Sequence, residues 1–190
     1  MPATKIMIIR HGEKPVSGFL GVDVHGKNNS RSLIVRGWQR AGALVGLFAP
    51  ARGPLQSAEL ATPQFLYAAN PAKGVGDSKR PYETILPLSK RLQLAINQGF
   101  AKLDAPTLVP SVEACDGVVL VAWEHGQIVN IANLIMPNSK TIIPQKWPSN
   151  RFDVVWVFDW NSTTGAYEFS QVPQCLLAGD LNTPIPAKKD

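Results

Sequence analysis

Three short stretches of this chain hold side chains that suit chemistry on an anion. The first is Arg10-His11-Gly12-Glu13, the second Arg80 at the head of Arg80-Pro81-Tyr82-Glu83-Thr84, and the third Trp123-Glu124-His125-Gly126-Gln127. Arginine offers a planar fork of donors matched to phosphate or carboxylate. Histidine attacks, accepts or donates a proton near neutral pH. Glycine beside them lets a ligand approach the backbone and permits a sharp turn. Taken alone, an Arg-His pair more often begins a surface loop, and a lone histidine is more often structural. Two His-Gly pairs, each directly after an apolar run, weaken that plainer reading.

The runs are Ile6-Met7-Ile8-Ile9 and Val118-Val119-Leu120-Val121-Ala122. Short, rich in β-branching and closed by polar residues, they read as strands buried on both faces. Such strands deliver their last residues to the carboxyl edge of a sheet, where open α/β folds place ligands. Gln64 to Ala69 reads as another buried strand, and 92 to 100 as a short one. Apolar residues at three- and four-residue steps predict a helix from Arg36 to Phe48, with Trp38 on its core face and Arg40 on its surface. A short helix is expected over 55–61, one after Arg80 with Ser78 as cap and Pro81 in its first turn, one over 107–115 containing a proline, and one carrying Ile128, Ile131, Ala132 and Ile135. Phe152 to Trp160 and Gly165 to Gln171 alternate around an Asn161-Ser162-Thr163-Thr164-Gly165 turn and read as an antiparallel hairpin. Strands that precede helices for most of the chain give a three-layer α/β sandwich with a mainly parallel sheet.

Composition fits one domain spanning 1–190. The 190 residues are 45% hydrophobic and 17% charged, ordinary globular material able to bury a core without staples. The net charge of +5 is scattered, which favours small anionic substrates over nucleic acid. Cys115 and Cys175 form no metal-spacing pattern and read as buried free thiols. No leader-like segment precedes the first strand and no apolar run approaches a membrane span, so a soluble cytoplasmic protein is expected, without a membrane partner. Nothing in the sequence sets an oligomeric state.

Residues 14–32 hold several Gly, Asn and Pro residues and read as a long loop that lines the site, offering Lys14, His25, Lys27 and Arg31 to a substrate. Within it, Gly21 to Asn28 nearly fits a P-loop, but the last position lacks the Ser or Thr that would hold magnesium and no helix is evident after it.

Arg-His-Gly-Glu directly after an N-terminal buried strand resembles the histidine phosphatase superfamily, the phosphoglycerate mutase-like group. Arg80-Pro81-Tyr82-Glu83-Thr84-Ile85-Leu86-Pro87-Leu88 looks like that group's Arg-x-x-Glu-Thr-x-x-Pro-Leu, and His125 stands in the strand-His-Gly-helix setting of its second histidine. Arg36-Gly37-Trp38-Gln39-Arg40-Ala41 matches only in part, with Arg40 where glutamine is common. The resemblance covers roughly the first 135 residues. It implies a phosphoglycerate mutase-like αβα sandwich, a phosphohistidine formed on His11, and phosphoryl oxygens held by Arg10, Arg80 and a protonated His125, with Gly12, Glu13 and Lys14 also at the substrate. No metal or cofactor is implied. The general acid has no recognisable family pattern here; Glu124 is the first candidate and Glu13 the second, although on an extended backbone Glu124 would point away from His125. The expected function is a metal-independent phosphomonoester phosphatase acting on a small phosphorylated substrate. A phosphomutase, a non-catalytic phosphate- or phosphopeptide-binding module, and a nucleotide-binding loop are the alternatives.

Overall fold

The computed structural model describes residues 2–73, 78–137 and 143–187. Ten elements alternate along the chain: β1 (Lys5–Arg10), α1 (Val35–Phe48), β2 (Phe65–Ala68), α2 (Arg80–Leu92), β3 (Ile96–Asn97), α3 (Ala105–Glu113), β4 (Val118–Trp123), α4 (His125–Ile135), β5 (Val154–Asn161) and β6 (Ala166–Pro173). The strands form one six-stranded sheet in the order β3-β2-β4-β1-β5-β6. β1 to β4 run parallel, β5 lies antiparallel to β1, and β6 returns antiparallel to β5. The sheet is thus mainly parallel with an antiparallel hairpin at one edge, as the sequence led us to expect.

Two apolar cores flank it. Met7, Ile9, Leu120 and Ala122 pack on one face against Leu44 and Phe48 of α1 and Ile85 and Leu88 of α2. Ile6, Ile8, Val119 and Val121 pack on the other against Leu108 and Val112 of α3 and Ile128 and Ile131 of α4. β1 and β4 are apolar on both faces because each face meets a helical layer, which makes a three-layer αβα sandwich.

The register explains where the chemistry gathers. Arg10 pairs with Trp123 and Ala68 with Ala122, so β1, β2 and β4 end at one level. The antiparallel β5 begins at that same edge, since Ile9 pairs with Val155. Beyond this edge β1 feeds α1 in one layer while its neighbour β4 feeds α4 in the other. Adjacent strands whose connections leave to opposite sides open a crevice between their carboxyl ends. His11 and His125 are the residues that enter it.

Several expectations are corrected. Residues 55–61 form turns and bends rather than a helix; Gly53-Pro54 interrupts the chain, and Leu60 is the single residue of the stretch that is buried. The strand expected over 92–100 shrinks to Ile96–Asn97, because α2 continues to Leu92 and Gln93 then takes the left-handed conformation at φ 57°. Ser78 does not cap α2: Lys79 occupies that position with helical φ and ψ and no side-chain cap bond. Cys115 is buried, but Cys175 is exposed. Trp38 is half-buried rather than core, with its indole Nε1 donating to the Val22 carbonyl at 2.8 Å. Among the described residues, no helix is long and apolar enough to cross a membrane.

Candidate active site

His11 is 2% exposed at the end of β1. Its Nδ1 lies 2.7 Å from the Gly12 carbonyl oxygen, which can only accept, so Nδ1 carries the proton. Burial drives the imidazole pKa down from 6.5 to about 3, with the Arg10 and Arg80 charges adding to the effect and the Gly12 bond opposing it. The ring is therefore neutral at physiological pH with the Nε2 lone pair unprotonated.

This has a consequence for stability. The unfolded chain takes up a proton on His11 below pH 6.5 and the folded chain does not until about pH 3. Stability is lost as pH falls through that window, at about 1.4 kcal/mol per pH unit from this one group. Urea unfolding of a His11→Gln variant between pH 6 and 4 is expected to show a shallower loss than the wild type by about that amount; identical slopes would show that His11 is protonated in the fold.

A cavity of 230 Å³ opens beside His11. Arg80, Glu124, His125 and Lys14 line it. The structure thus brings to one place side chains from the loop after β1, the start of α2 and the start of α4. Glu124 is the N-cap of α4 and its carboxylate accepts from the Gly126 amide at 3.1 Å. Glu124 itself keeps an extended backbone and the chain turns into α4 at His125, which leaves Glu124 Oε1 2.7 Å from His125 Nδ1. His125 differs from expectation. Burial and then the Arg10 charge lower its pKa, against the pull of Glu124, so the empty site favours the neutral ring. A dianion beside it would act in the opposite direction and favour the protonated one.

Arg10 sits beside this cavity rather than in its wall. Nη1 donates to the carbonyls of Ser149 at 2.7 Å and Arg151 at 2.9 Å, with Pro148 at 3.3 Å, and the guanidinium lies 3.8 Å from the centroid of the Phe152 ring. Nε and Nη2 are buried and have no partner among the described residues. One edge of the fork is thus fixed by protein while donors on the other remain unused. Burial lowers the Arg10 pKa to about 10, with Glu124 and Glu13 opposing, and it stays charged at neutral pH.

Glu13 and Gly12 are placed elsewhere. The Glu13 carboxylate, 8% exposed, accepts from Arg40 Nη2 at 2.8 Å and Arg36 Nε at 3.2 Å and is not among the residues lining the cavity. Arg40 is accordingly not a surface residue: it is buried between Glu13 and Asp180, and Gln174 accepts a third bond. Burial alone would lower its pKa, but the bonds to Asp180 and Glu13 overcome that and raise it. The Gly12 amide donates to Thr84 Oγ1 at 2.8 Å, tying the His11 turn to α2. A Cβ at Gly12 would lie 3.1 Å from the Gly37 carbonyl oxygen, and one at Gly37 2.7 Å from that of Glu13, so two glycines let α1 press on this turn.

Of the cations in the 14–32 loop, Lys14 lines the cavity and His25, Lys27 and Arg31 do not. The near P-loop is a closed turn in which Asp23 Oδ1 accepts the amides of His25 and Lys27. Those donors are spent inside the loop, and helix α1 starts only at Val35.

Asn70 and Ser78, at the two ends of the 70–79 loop that the sequence reading expects to help select the substrate, also line the cavity, as does Lys102, which that reading missed. Asn70 follows β2 at the same edge as the histidines, and its Nδ2 donates to the Gln98 carbonyl at 2.8 Å, bracing the loop that carries Lys102. The signal available was position: each lies shortly after, or just before, an element that opens on the carboxyl edge. Phe152 was expected in the hairpin but lies ahead of β5, stacked on Arg10. Among the described residues, no group of three His, Cys, Asp or Glu side chains gathers that could hold a metal ion.

No family model and no curated protein matches the sequence. Among solved structures, the mycobacterial glucosyl-3-phosphoglycerate phosphatase in complex with VO3 superposes with a TM-score of 0.52 at 13% identity, over 88% of this chain and 98% of that one. A second mycobacterial protein, described as hydrolase 2, gives 0.48 at 14% identity over 90% of each chain. The first likeness is one of fold: this αβα sandwich is built like that of a phosphatase.

Proposed function

We propose that this protein is a histidine phosphatase that hydrolyses small phosphomonoesters through a phosphohistidine on His11 and needs no metal ion. The observation that carries the reading is the neutral His11 with Nδ1 held by the Gly12 carbonyl, facing a cavity that also holds Arg80, Glu124 and His125. The fold shared with a phosphatase that was solved with VO3 is in keeping with it.

Phosphoryl transfer spreads charge over the equatorial oxygens while attacking and leaving atoms stay in line, so positioning and electrostatics do most of the work. The Nε2 lone pair of His11 attacks phosphorus and the bond to the leaving oxygen breaks. Arg10, through its unused donors, and Arg80 neutralise the oxygens, joined by His125 once the dianion has favoured its protonation. Glu124, entering the cycle as the carboxylic acid, gives its proton to the leaving oxygen and is left as the carboxylate. Water then attacks the phosphohistidine, the P–N bond breaks, and the Glu124 carboxylate takes the water's proton.

Turnover of an aryl phosphate in the presence of EDTA tests the class; activity that disappears with chelator would point to a metal instead. Phosphate binding with no turnover would favour the non-catalytic module. The role of Glu124 has a sharper check, because its cap bond to Gly126 and its contact with His125 equally suit a residue that only orients the second histidine. Glu124→Gln keeps a cap acceptor and removes the acid. An alkyl phosphate is expected to slow by about a hundredfold or more and a nitrophenyl phosphate, whose leaving group needs little protonation, by less than about tenfold. Equal slowing of both assigns Glu124 to orientation alone.

A further inference from the structure

We infer, building on the phosphatase reading, that Lys14 and Lys102 form a second anion subsite in the His11 cavity, so that the substrate is a small phosphomonoester carrying another anionic group, carboxylate or phosphate, close to the transferred one.

The count of charges motivates it. One phosphoryl dianion is served by Arg10, Arg80 and His125, yet the cavity wall carries two further cations, Lys14 and Lys102. Neither ammonium makes a hydrogen bond or ion pair among the described residues. Glu124 is the acidic side chain of the wall, and it is committed to His125 and Gly126. Both lysine charges reach the chemistry, since each contributes to lowering the His125 pKa. Four cations converging on one small cavity repel one another, and what relieves the repulsion is an anion of more than one group.

The two lysines are also held by backbone, not strewn over a surface. The Lys102 carbonyl accepts from Trp123 Nε1 at 3.0 Å, fixing its loop to the residue just before Glu124. Lys14 directly follows Glu13, which Arg40 and Arg36 clamp. Pinned backbones that carry long four-carbon stems suit a tail whose position varies more than that of the reacting phosphorus. The cavity, at 230 Å³, is smaller than the roughly 300–1,000 Å³ of pockets for drug-sized ligands, which argues for a compact substrate.

Non-hydrolysable ligands separate this inference from the one beneath it. In calorimetric titrations at low salt, methylphosphonate reports the phosphoryl site alone, while phosphonoacetate adds a carboxylate and methylenebisphosphonate a second phosphonate. The wild type is expected to bind at least one of the two longer ligands roughly tenfold or more tighter than methylphosphonate, the size of one good charge-assisted contact. Which of them gains more identifies the tail as carboxylate or phosphate. In Lys14→Gln/Lys102→Gln that ratio should fall to near one, whereas Lys90→Gln/Arg91→Gln, the same loss of two charges on α2 outside this cavity, should retain it. Methylphosphonate binding with equal affinities for all three ligands overturns the second subsite and leaves the phosphatase reading standing. A ratio that persists in the double variant overturns the assignment to these lysines. No methylphosphonate binding at all removes the phosphoryl site and the subsite with it.

Discussion

Replacing His11 by alanine is expected to lower turnover by roughly 10⁴-fold or more, the scale on which enzymes respond to loss of a nucleophile. Two features of the site make the effect large. The ring is held neutral by burial, so its lone pair is available at any pH the fold tolerates, and the Gly12 carbonyl fixes which nitrogen faces the cavity. Neither can be supplied by a neighbour: His125 is turned by Nδ1 to Glu124 and belongs to a different strand end. Rapid quenching of the wild type under alkaline conditions, where a phosphohistidine survives, should trap label from a radiolabelled substrate on the protein, and the variant should trap none. Truncation also leaves the Gly12 carbonyl without its donor, which costs about 1–3 kcal/mol, so thermal unfolding must confirm that the variant is folded at the assay temperature. A folded His11→Ala protein that still turns over substrate would remove the assigned nucleophile.

How much of this site could be read from the chain depended on distance along it. The strands were legible because Ile6 to Ile9 and Val118 to Ala122 are apolar at every position, which within a short run means burial on both faces. Once they were placed, the sheet edge followed, and with it His11 and His125. The start of α2 was legible from Pro81, and Arg80 was placed by the likeness of its stretch to an Arg-x-x-Glu-Thr motif. The strands and the helix start rest on contacts between residues close in sequence or on the general geometry of parallel sheets.

What was not legible rests on pairings between distant residues. Arg40 looked like a surface arginine on an amphipathic helix because its partners, Glu13 and Asp180, lie 27 and 140 residues away. The same network withdrew Glu13 from the candidate acids: two guanidinium groups clamp its carboxylate away from the cavity wall. Lys102 escaped notice since the loop that carries it is shaped by Asn70 and Trp123, each bonded to one of its carbonyls, and not by its own residues. Phe152 continued an alternating pattern and was assigned to the strand; the chain bends before β5, where Arg151 Nε bonds Asp153 Oδ1, and the ring meets Arg10 instead. In each case local pattern lost to a charge or ring that needed a partner the fold alone could provide.

Arg10 is where those distant pairings and the chemistry meet, and its replacement is the second large effect expected. Arg10→Ala removes a guanidinium that closes three carbonyls of the 148–151 loop and stacks on Phe152, so the loss is at once catalytic and structural. Leaving those acceptors without a buried donor is expected to cost about 2–4 kcal/mol of stability. Loss of a cation aimed at the transferring group costs about 10³-fold or more in kcat. Arg10→Lys separates the two contributions. It keeps a charge but not the fork, and a single ammonium cannot hold the loop carbonyls and face phosphate together, so kcat should still fall by roughly 10²-fold while part of the stability returns. Arg80 offers the contrast. It stands in the first turn of α2, less buried and with Nη1 donating to the Ser30 carbonyl at 3.2 Å rather than to the 148–151 loop, and Arg80→Ala should weaken kcat/KM by about 10²-fold with a smaller loss of thermal stability than Arg10→Ala. Urea unfolding and steady-state kinetics on the three variants decide the matter. Should Arg10→Ala retain wild-type stability and lie within about tenfold of wild-type kcat, the guanidinium serves neither the loop nor the phosphoryl group, and the anion site must be sought elsewhere on the sheet edge.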